Sequence, residues 1–119
     1  MKKFVALLLL VIAVGSARAQ CTNYTITVGG GLFDNEIDWE LLNGFGVTVA
    51  SGIAPQTVAV CLPADCYTMY MYDSFGDGWD GASWVMKVQP ANTIVASGTL
   101  NNGSFGTALL QLPRRDILR

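Results

Sequence analysis

The sequence predicts an all-β protein, an antiparallel β-sandwich of about eight strands built from two pseudo-repeated halves. Short strand-like runs recur at regular intervals, with glycine-rich turns between them. The chain also repeats itself, and self-similarity of this kind sets the architecture. We therefore expect half-repeats over about residues 21–63 and 66–113. The segments that match are residues 37–52 with 82–98, and residues 57–63 with 107–113.

The first residues resemble a secretory signal peptide over residues 1–19. Two lysines precede an apolar run over residues 4–14, and residues 17–19 read Ala-Arg-Ala, a small-x-small cleavage site. The apolar run is shorter than the roughly 18 residues that a membrane-spanning helix needs, so no membrane span is expected. The sequence thus predicts a secreted protein, extracellular or periplasmic or at the cell surface. It comprises a single module at residues 20–113 and a basic tail at residues 114–119.

The predicted mature module is strongly acidic. Residues 20–113 contain eight of the nine acidic residues but only one basic residue, Lys87, which gives this stretch a net charge of −7. Such a surface repels phosphate backbones, so nucleic-acid binding is not expected. It suits divalent cations or a basic partner, although it also simply keeps an exported protein soluble.

Alternating apolar residues mark the clearest strands, which lie at residues 24–28, 58–62 and 84–88. Residues 33–42 suit a helix or a strand by spacing, but flanking glycines and the match between Trp39 and Trp84 favour a strand. We expect both tryptophans in the core. In a strand over residues 34–42, four carboxylates would share one face. They would form either a solvated outer face or, for Asp34 and Glu36, part of a metal site, because Asp34 aligns with Asp80.

Three cysteines cannot all pair within one chain in an oxidising compartment. Cys61 and Cys66 are separated by a short connection that contains Pro63, and a hairpin of that length can bring them within bridging range. We expect a Cys61–Cys66 disulfide, worth about 2 kcal/mol in the chain-entropy model. Cys21 would then be free, form an intermolecular disulfide, or displace one member of the pair.

The loop after residue 72 has the composition of a calcium site. Calcium takes six to eight oxygen ligands from a tightly curled loop, and Asp73, Asp77 and Asp80 offer carboxylates between glycines that permit such a curl. The spacing begins like an EF-hand but fails it, because Phe75 occupies a ligand position. The alternative is an ordinary hairpin loop in which Asp and Gly form turns. The predicted metal ligands are Asp73, Asp77, Asp80, Asp34 and Glu36, with Ca²⁺ as the ion.

The stretch CLPADCYTMYMYDSFGDGWDGASW at residues 61–84, with the E-x-x-W of residues 36–39, resembles a family of secreted modules. Those modules carry a D-S-[FY]-G-D-G-W-[DN]-G-A signature, often in tandem, in extracellular proteins of bacteria and microbial eukaryotes. The resemblance covers about residues 21–112 and implies a β-sandwich of extracellular surfaces, usually without an assigned activity. This chain departs from the family because the second of its two half-repeats lacks the cysteine hairpin. The motif residues here are Asp73, Gly76, Asp77, Gly78, Trp79 and Gly81, with Asp80 where Asn is commoner.

Aromatic residues suggest a second kind of site. Tyr70 and Tyr72 share one face of a predicted strand, and Trp79 lies in the adjoining loop. A row of aromatic rings beside carboxylates can bind sugars by stacking and hydrogen bonding. The alternative for Trp79 is that its ring packs across the end of the sandwich.

Catalysis finds little support in this composition. The absence of histidine excludes Ser-His and Cys-His arrangements, and a solvated glycine loop is a poor place to raise a carboxylate pKa for an Asp73–Asp77 hydrolase. We expect a non-catalytic binding or adhesion module, calcium-stabilised, that contacts an extracellular glycan or a surface or matrix protein. The alternative is a structural or protein-interaction module with no metal or glycan ligand, linked to its partners through Cys21.

Overall fold

The computed structural model describes residues 20–113, so the predicted signal peptide and basic tail lie outside the described residues. The described chain is an all-β sandwich with a single 3-10 turn, and the predicted fold class is confirmed. No helix among these residues has the length and apolar character to cross a membrane. The elements are β1 (Thr22–Gly29), η1 (Asp34–Glu36), β2 (Ile37–Leu42), β3 (Thr48–Ile53), β4 (Gln56–Leu62), β5 (Asp65–Asp73), β6 (Ser83–Val88), β7 (Thr93–Gly98) and β8 (Phe105–Leu112).

The strands form two antiparallel four-stranded sheets, with orders β4-β1-β6-β7 and β3-β2-β5-β8. Replacing each of β1–β4 by its counterpart in β5–β8, and the reverse, converts one order into the other. The two halves of the chain are therefore related by a pseudo-two-fold operation that exchanges the sheets. Each half contributes two strands to each sheet, so neither half makes a complete sheet without the other.

The two tryptophan-bearing segments occupy equivalent places in this arrangement. Trp39 on β2 lies opposite Gly52 on β3, and Trp84 on β6 lies opposite Gly98 on β7. The strand register shifts just after each tryptophan pair, at the same relative position. A Cβ at Gly52 would lie 3.0 Å from the Trp39 ring, and one at Gly98 would lie 2.8 Å from Trp84 Nε1. Each ring thus covers a glycine on the neighbouring strand, which accounts for the repeated Trp and Gly positions.

The segment predicted as a strand over residues 34–42 is a strand only from Ile37. Asp34 and Glu36 belong to the 3-10 turn before it, so the four carboxylates do not share one strand face. The Asp34 carboxylate accepts hydrogen bonds from the backbone N–H groups of Gly30 and Gly31, at 3.1 and 3.0 Å. Such local side-chain bonds compete with strand pairing and explain the difference.

The core lies between the sheets and is built from the alternating inward residues of each strand. Trp39 and Trp84 are each 2% exposed, as predicted for core residues. Burial of this apolar surface, at about 25 cal/mol per Å², is the main favourable contribution to folding. The inward residues of the central strands are Tyr24, Ile26 and Val28 on β1, Ile37 and Leu41 on β2, Tyr67, Met69 and Met71 on β5, and Met86 on β6.

The predicted Cys61–Cys66 disulfide is wrong, because the bridge joins Cys21 to Cys61, with a Cα–Cα distance of 5.4 Å. Cys61 lies on β4 of one sheet and Cys66 on β5 of the other, so the short connection between them crosses the sandwich and is not a hairpin. β1 pairs with β4, with Asn23 opposite Cys61, which brings Cys21 close. Cys66 is free and exposed. Cys21 therefore displaces Cys66 from the pair, and an intermolecular disulfide through Cys21 is not available to this structure.

Candidate metal centre

Four connections meet at one end of the sandwich, which we call the loop end: residues 30–36, 54–55, 74–82 and 99–104. The strand registers place them together. The end of β1 lies opposite the starts of β4 and β6, and the end of β5 lies opposite the starts of β2 and β8. The acidic glycine-rich motif of the sequence is the β5–β6 connection, so it lies in the middle of the loop end.

Backbone hydrogen bonds fix the β5–β6 connection between its neighbours. Ser74 N–H donates to Glu36 O at 3.0 Å, and Leu32 N–H donates to Asp80 O at 3.2 Å, which ties it to the β1–β2 connection. On the other side, Gly78 N–H donates to the carbonyl oxygen of Gly103 at 3.0 Å. The motif is thus held by its backbone on both sides.

Asp73 organises the loop from within. Its side chain is 2% exposed, and its Oδ2 accepts hydrogen bonds from the N–H groups of Asp77 and Gly78, at 2.8 and 2.9 Å. Its Oδ1 accepts only a long bond from Phe75 N–H, at 3.4 Å. Burial alone would raise the pKa of Asp73, but the hydrogen bonds from Asp77, Phe75 and Gly78 hold this pKa below its ordinary value. Asp73 is therefore an ionised carboxylate with one oxygen still largely available to a cation.

The motif needs glycine most at Gly78. Its φ of 92° is in the left-handed region, and a Cβ there would lie 2.7 Å from the carbonyl oxygen of Asn101. Asp80 also has a positive φ, of 50°, a conformation that Asp and Asn adopt more readily than other side chains.

Carboxylate oxygens of Glu36, Asp73 and Asp77 lie within 4.8 Å of one another; we call these three residues the carboxylate cluster. Calcium–oxygen distances of about 2.3–2.6 Å place ligands on opposite sides of an ion about 5 Å apart, so these oxygens can bind one ion together. Glu36 Oε1 is fully buried and has no hydrogen-bond partner among residues 20–113, and the same holds for Asp80 Oδ2. A buried oxygen without a partner is destabilising, and a bound cation would remove that cost.

The remaining acids of the cluster titrate at higher pH than usual. Burial raises the pKa of Glu36, and the negative charges of Asp73, Asp77 and Asp80 raise it further. Burial also raises the pKa of Asp77, together with its hydrogen bond to Asp73 and the charges of Asp80 and Asp73. Without a cation, Glu36 and Asp77 therefore hold their protons more tightly than isolated carboxyl groups do.

The structure brings together three of the five predicted metal ligands, Glu36, Asp73 and Asp77. Asp80 lies outside this group of three, but close enough for its charge to act on Glu36 and Asp77. Asp34 does not join them, because its two oxygens cap the β1–β2 connection.

Trp79 is not an exposed ligand-binding residue. Its side chain is 1% exposed, and Nε1 donates a hydrogen bond to Tyr72 O at 3.0 Å. The ring packs across the end of the sandwich, which was the alternative interpretation, so the predicted role of Trp79 in binding is wrong. The exposed aromatic side chain of this loop is Phe75, which is 74% exposed.

Tyr70 and Tyr72 lie on the outer face of β5, as predicted, and contact an aromatic residue that the sequence analysis missed. Phe105 on β8 lies opposite Tyr72, with ring centroids 5.4 Å from Tyr72 and 5.6 Å from Tyr70. We call these three residues the aromatic face. Tyr72 OH donates to Glu40 Oε2 at 3.1 Å, which places a carboxylate at its border. The alternation of β8 could have revealed Phe105, because it shares its strand face with Thr107 and Leu109.

Scans of protein-family models, of curated proteins and of solved structures each return no match for this chain.

Proposed function

We propose that this chain is a secreted, non-catalytic binding or adhesion module whose loop end binds Ca²⁺ and whose adjoining surface contacts an extracellular glycan. The observation that carries the proposal is the buried, unpartnered Oε1 of Glu36, which belongs to the same cluster of carboxylates as Asp73 and Asp77. A folded protein with this arrangement is stabilised by a bound cation. The rest of the proposal follows from the chemistry of that ion and the surface next to it.

Calcium fits the cluster better than other common metals do. The three ligands are carboxylates with no histidine or thiolate among them, and hard oxygen ligands favour Ca²⁺ or Mg²⁺ over Zn²⁺ or Cu²⁺. Mg²⁺ requires near-ideal octahedral geometry at about 2.0–2.1 Å, whereas Ca²⁺ accepts six to eight ligands in irregular arrangements. A loop held by its backbone on both sides suits the more tolerant ion. Positions that the protein leaves open would be taken by water or by hydroxyl groups of a ligand.

The proposal of secretion rests on the disulfide and the sequence. A Cys21–Cys61 bridge is typical of oxidising compartments, and it closes a loop with a sequence separation of 40 residues. The amino-terminal residues have the pattern of a signal peptide. Together they support an extracellular location.

The aromatic face supports the glycan part of the proposal. Tyr72 directly precedes Asp73, so the aromatic face begins where the carboxylate cluster ends. Phe105 is 52% exposed, and Glu40 lies at the border of the face, which offers a stacking surface beside a hydrogen-bond acceptor. Sugar rings bind such surfaces through their apolar faces and their hydroxyl groups.

The burial of Asp73 supports the proposal that the module is not an enzyme. A retaining glycosidase needs an accessible carboxylate nucleophile about 5 Å from a protonated carboxyl group. Asp77, with its raised pKa, resembles the protonated carboxyl group. Asp73 would have to be the nucleophile, but it is 2% exposed and both its oxygens accept backbone hydrogen bonds. Such burial argues against Asp73 as the nucleophile of a glycosidase.

Thermal unfolding with Ca²⁺ and with chelator tests the calcium proposal. At about a hundred times its dissociation constant, a bound ion adds about 2.7 kcal/mol to the free energy of unfolding. We expect Ca²⁺ to raise the Tm of the wild type, and Glu36→Gln and Asp77→Asn to lose most of that shift. Asp38→Asn is the matched control, because Asp38 is an exposed carboxylate on the outer face of β2. Equal Tm values with Ca²⁺ and with chelator in the wild type would refute the calcium site.

The alternative is a structural or protein-interaction module that needs no metal or glycan. One observation favours it: the edge strands, β4 and β7 in one sheet and β3 and β8 in the other, contain no Asp, Glu, Lys or Arg. A wild-type protein that shows no calcium shift and binds no glycan, yet forms defined assemblies, would support this alternative over the first proposal.

A further inference from the structure

A pocket of about 240 Å³ opens at the loop end, between the end of the β5–β6 connection and the start of the β7–β8 connection. Pockets that hold drug-sized ligands have volumes of about 300–1,000 Å³, so this one suits a single ring or a smaller group. Its lining includes two buried apolar residues, Ala82 and Leu100. The polar residues of the lining are Asp80, Ser83, Thr99 and Asn101.

The internal repeat shows that the fold does not need the connection that forms this pocket. Residues 54–55 suffice to join β3 to β4, whereas the equivalent strands β7 and β8 are joined by residues 99–104. In the first half Trp39 Nε1 donates to Ile53 O at 3.3 Å, but Trp84 Nε1 is buried and has no hydrogen-bond partner among residues 20–113. The second half thus lacks a hydrogen bond that the same fold can make. A local feature that lowers stability without serving the fold is typical of a functional site.

The pocket offers hydrogen-bond acceptors more than donors. Asp80 is a carboxylate, and its Oδ2 is buried without a hydrogen-bond partner in the described part of the chain. The Thr99 hydroxyl donates its one proton to Ala82 O at 2.6 Å, so towards a ligand it can only accept. A ligand with many donors therefore fits this lining. An ammonium group, which has three donors and no acceptor, fits it best.

The charges around the pocket favour a cation over a neutral donor. Asp80 lies close enough to Glu36 and Asp77 for its charge to raise their pKa values, so their charges act on the pocket in turn. Lys87 is the only basic residue among residues 20–113, and it lies towards the other end of β6. A positively charged ligand would be attracted to this end of the sandwich before it enters the pocket.

We propose that this pocket binds the ammonium-bearing ring of an amino sugar, with Asp80 as the acceptor for the ammonium group. The inference rests on the proposed glycan binding, to which it adds a class of sugar, but it does not rest on calcium. The buried apolar residues of the lining suit the face of a ring better than they suit an isolated ammonium group. The connection that lines the pocket also leads directly into Phe105 of the aromatic face, so neighbouring units of one glycan can contact both surfaces.

Calorimetric titration with two β-1,4-linked tetramers tests this inference. One consists of glucosamine and the other of N-acetylglucosamine, in which acetylation removes the charge. Slightly below neutral pH, where free amines are protonated, we expect the glucosamine tetramer to bind about tenfold more tightly or better. Asp80→Asn should abolish that preference. The variant should fold with the Tm of the wild type, because Asn also adopts the positive φ of Asp80.

A matched control separates the pocket from the general charge of the surface. Asp38→Asn removes the same charge from the outer face of β2 and should retain the preference for the glucosamine tetramer. In the wild type, NMR chemical-shift changes caused by that tetramer should include the backbone amides of Ser83 and Asn101, a measurement that needs no variant. Loss of the preference in Asp38→Asn as much as in Asp80→Asn would overturn the proposal.

The other outcomes separate this inference from the proposed function. If Phe105→Ala weakens both tetramers equally and Asp80→Asn changes neither, glycan binding stands and the pocket is wrong. If the wild type binds no glycan on an array, both proposals fail. Asp80-dependent binding of Nα-acetyl-lysine amide, with no binding of either tetramer, would overturn the amino sugar in favour of a protein ligand. The titrations are run in chelator as well as in Ca²⁺, so failure of the calcium proposal leaves this test unchanged.

Discussion

The backbone N–H of Ser74 donates a hydrogen bond to the carbonyl oxygen of Glu36 at 3.0 Å, and this contact joins the two connections whose carboxylates form the cluster. Asp73 is the last residue of β5 and Asp77 lies in the β5–β6 connection, whereas Glu36 belongs to the 3-10 turn before β2. The carboxylate cluster is therefore shared between the two halves of the chain. It forms only when the halves are assembled, so we expect ion binding at this cluster to be coupled to folding.

The pH dependence of calcium binding follows from the raised pKa values of Glu36 and Asp77. Both groups must lose their protons before they bind the ion, so we expect the dissociation constant for Ca²⁺ to rise as the pH falls through their raised pKa values. Calorimetric titration at several pH values measures this change. Glu36→Gln should bind more weakly at neutral pH and show a shallower pH dependence. A dissociation constant that stays the same from neutral pH down to the ordinary carboxyl pKa values would contradict the assignment.

The same pKa shifts predict an unusual stability profile for the calcium-free protein. A carboxyl group whose pKa is raised in the folded state binds protons more tightly there than in the unfolded chain. Its contribution to stability therefore grows as the pH falls through the raised pKa towards the ordinary values, 4.5 for Glu36 and 3.8 for Asp77. The lowered pKa of Asp73 acts oppositely, below its ordinary value of 3.8. Chemical denaturation in chelator should show stability rising on mild acidification and falling at lower pH.

Two glycines of the motif should respond differently to alanine. Gly76 and Gly78 both have positive φ, of 84° and 92°, but a Cβ at Gly76 meets no atom within 4 Å. Gly76→Ala should therefore cost only the backbone term, about 1 kcal/mol. Gly78→Ala should cost clearly more, because its Cβ would also contact the Asn101 backbone. Denaturant unfolding of the two variants compares the costs, and equal losses would show that the contact with Asn101 is not constraining.

The disulfide assignment predicts different effects for the three cysteines. Cys21→Ser opens the loop between Cys21 and Cys61 and should lower the free energy of unfolding by up to about 4 kcal/mol in the chain-entropy model. Cys66→Ser should leave stability nearly unchanged, because Cys66 is exposed and unpaired. Alkylation of the native protein followed by peptide mapping provides the direct measurement. Modification at Cys21 in place of Cys66 would show that the bridge is formed differently.

The aromatic face predicts which residues a glycan would need. Phe105→Ala and Tyr70→Ala should each weaken glycan binding on an array about tenfold, because each loses a stacking ring worth about 1 kcal/mol or more. Phe75→Ala is the matched control, since it removes an exposed aromatic ring from the loop and leaves the face intact. Loss of binding with Phe75→Ala alone would move the contact to the loop tip.

The repeat was the part of the fold most accessible from sequence. Trp39 and Trp84, with the glycines that their rings cover, mark the same place in both halves, and a packed Trp–Gly pair tolerates little change. The strand alternation likewise revealed which side of β5 faces the core. These are local or repeated patterns, and local patterns are visible in a sequence.

The tertiary structure decided how the strands pair, and that decided the rest. Sequence proximity favoured a disulfide between Cys61 and Cys66, but the β4–β5 connection crosses between the sheets. The pairing of β1 with β4 instead brings Cys21 close enough to form the disulfide with Cys61. The burial of Trp79 likewise could not be predicted from the sequence, because its ring is buried only by the assembled end of the sandwich. The sequence alone determined an acidic, twice-repeated β-chain. Contacts between residues far apart in the chain determined which carboxylates meet, because those contacts depend on sheet order and not on spacing.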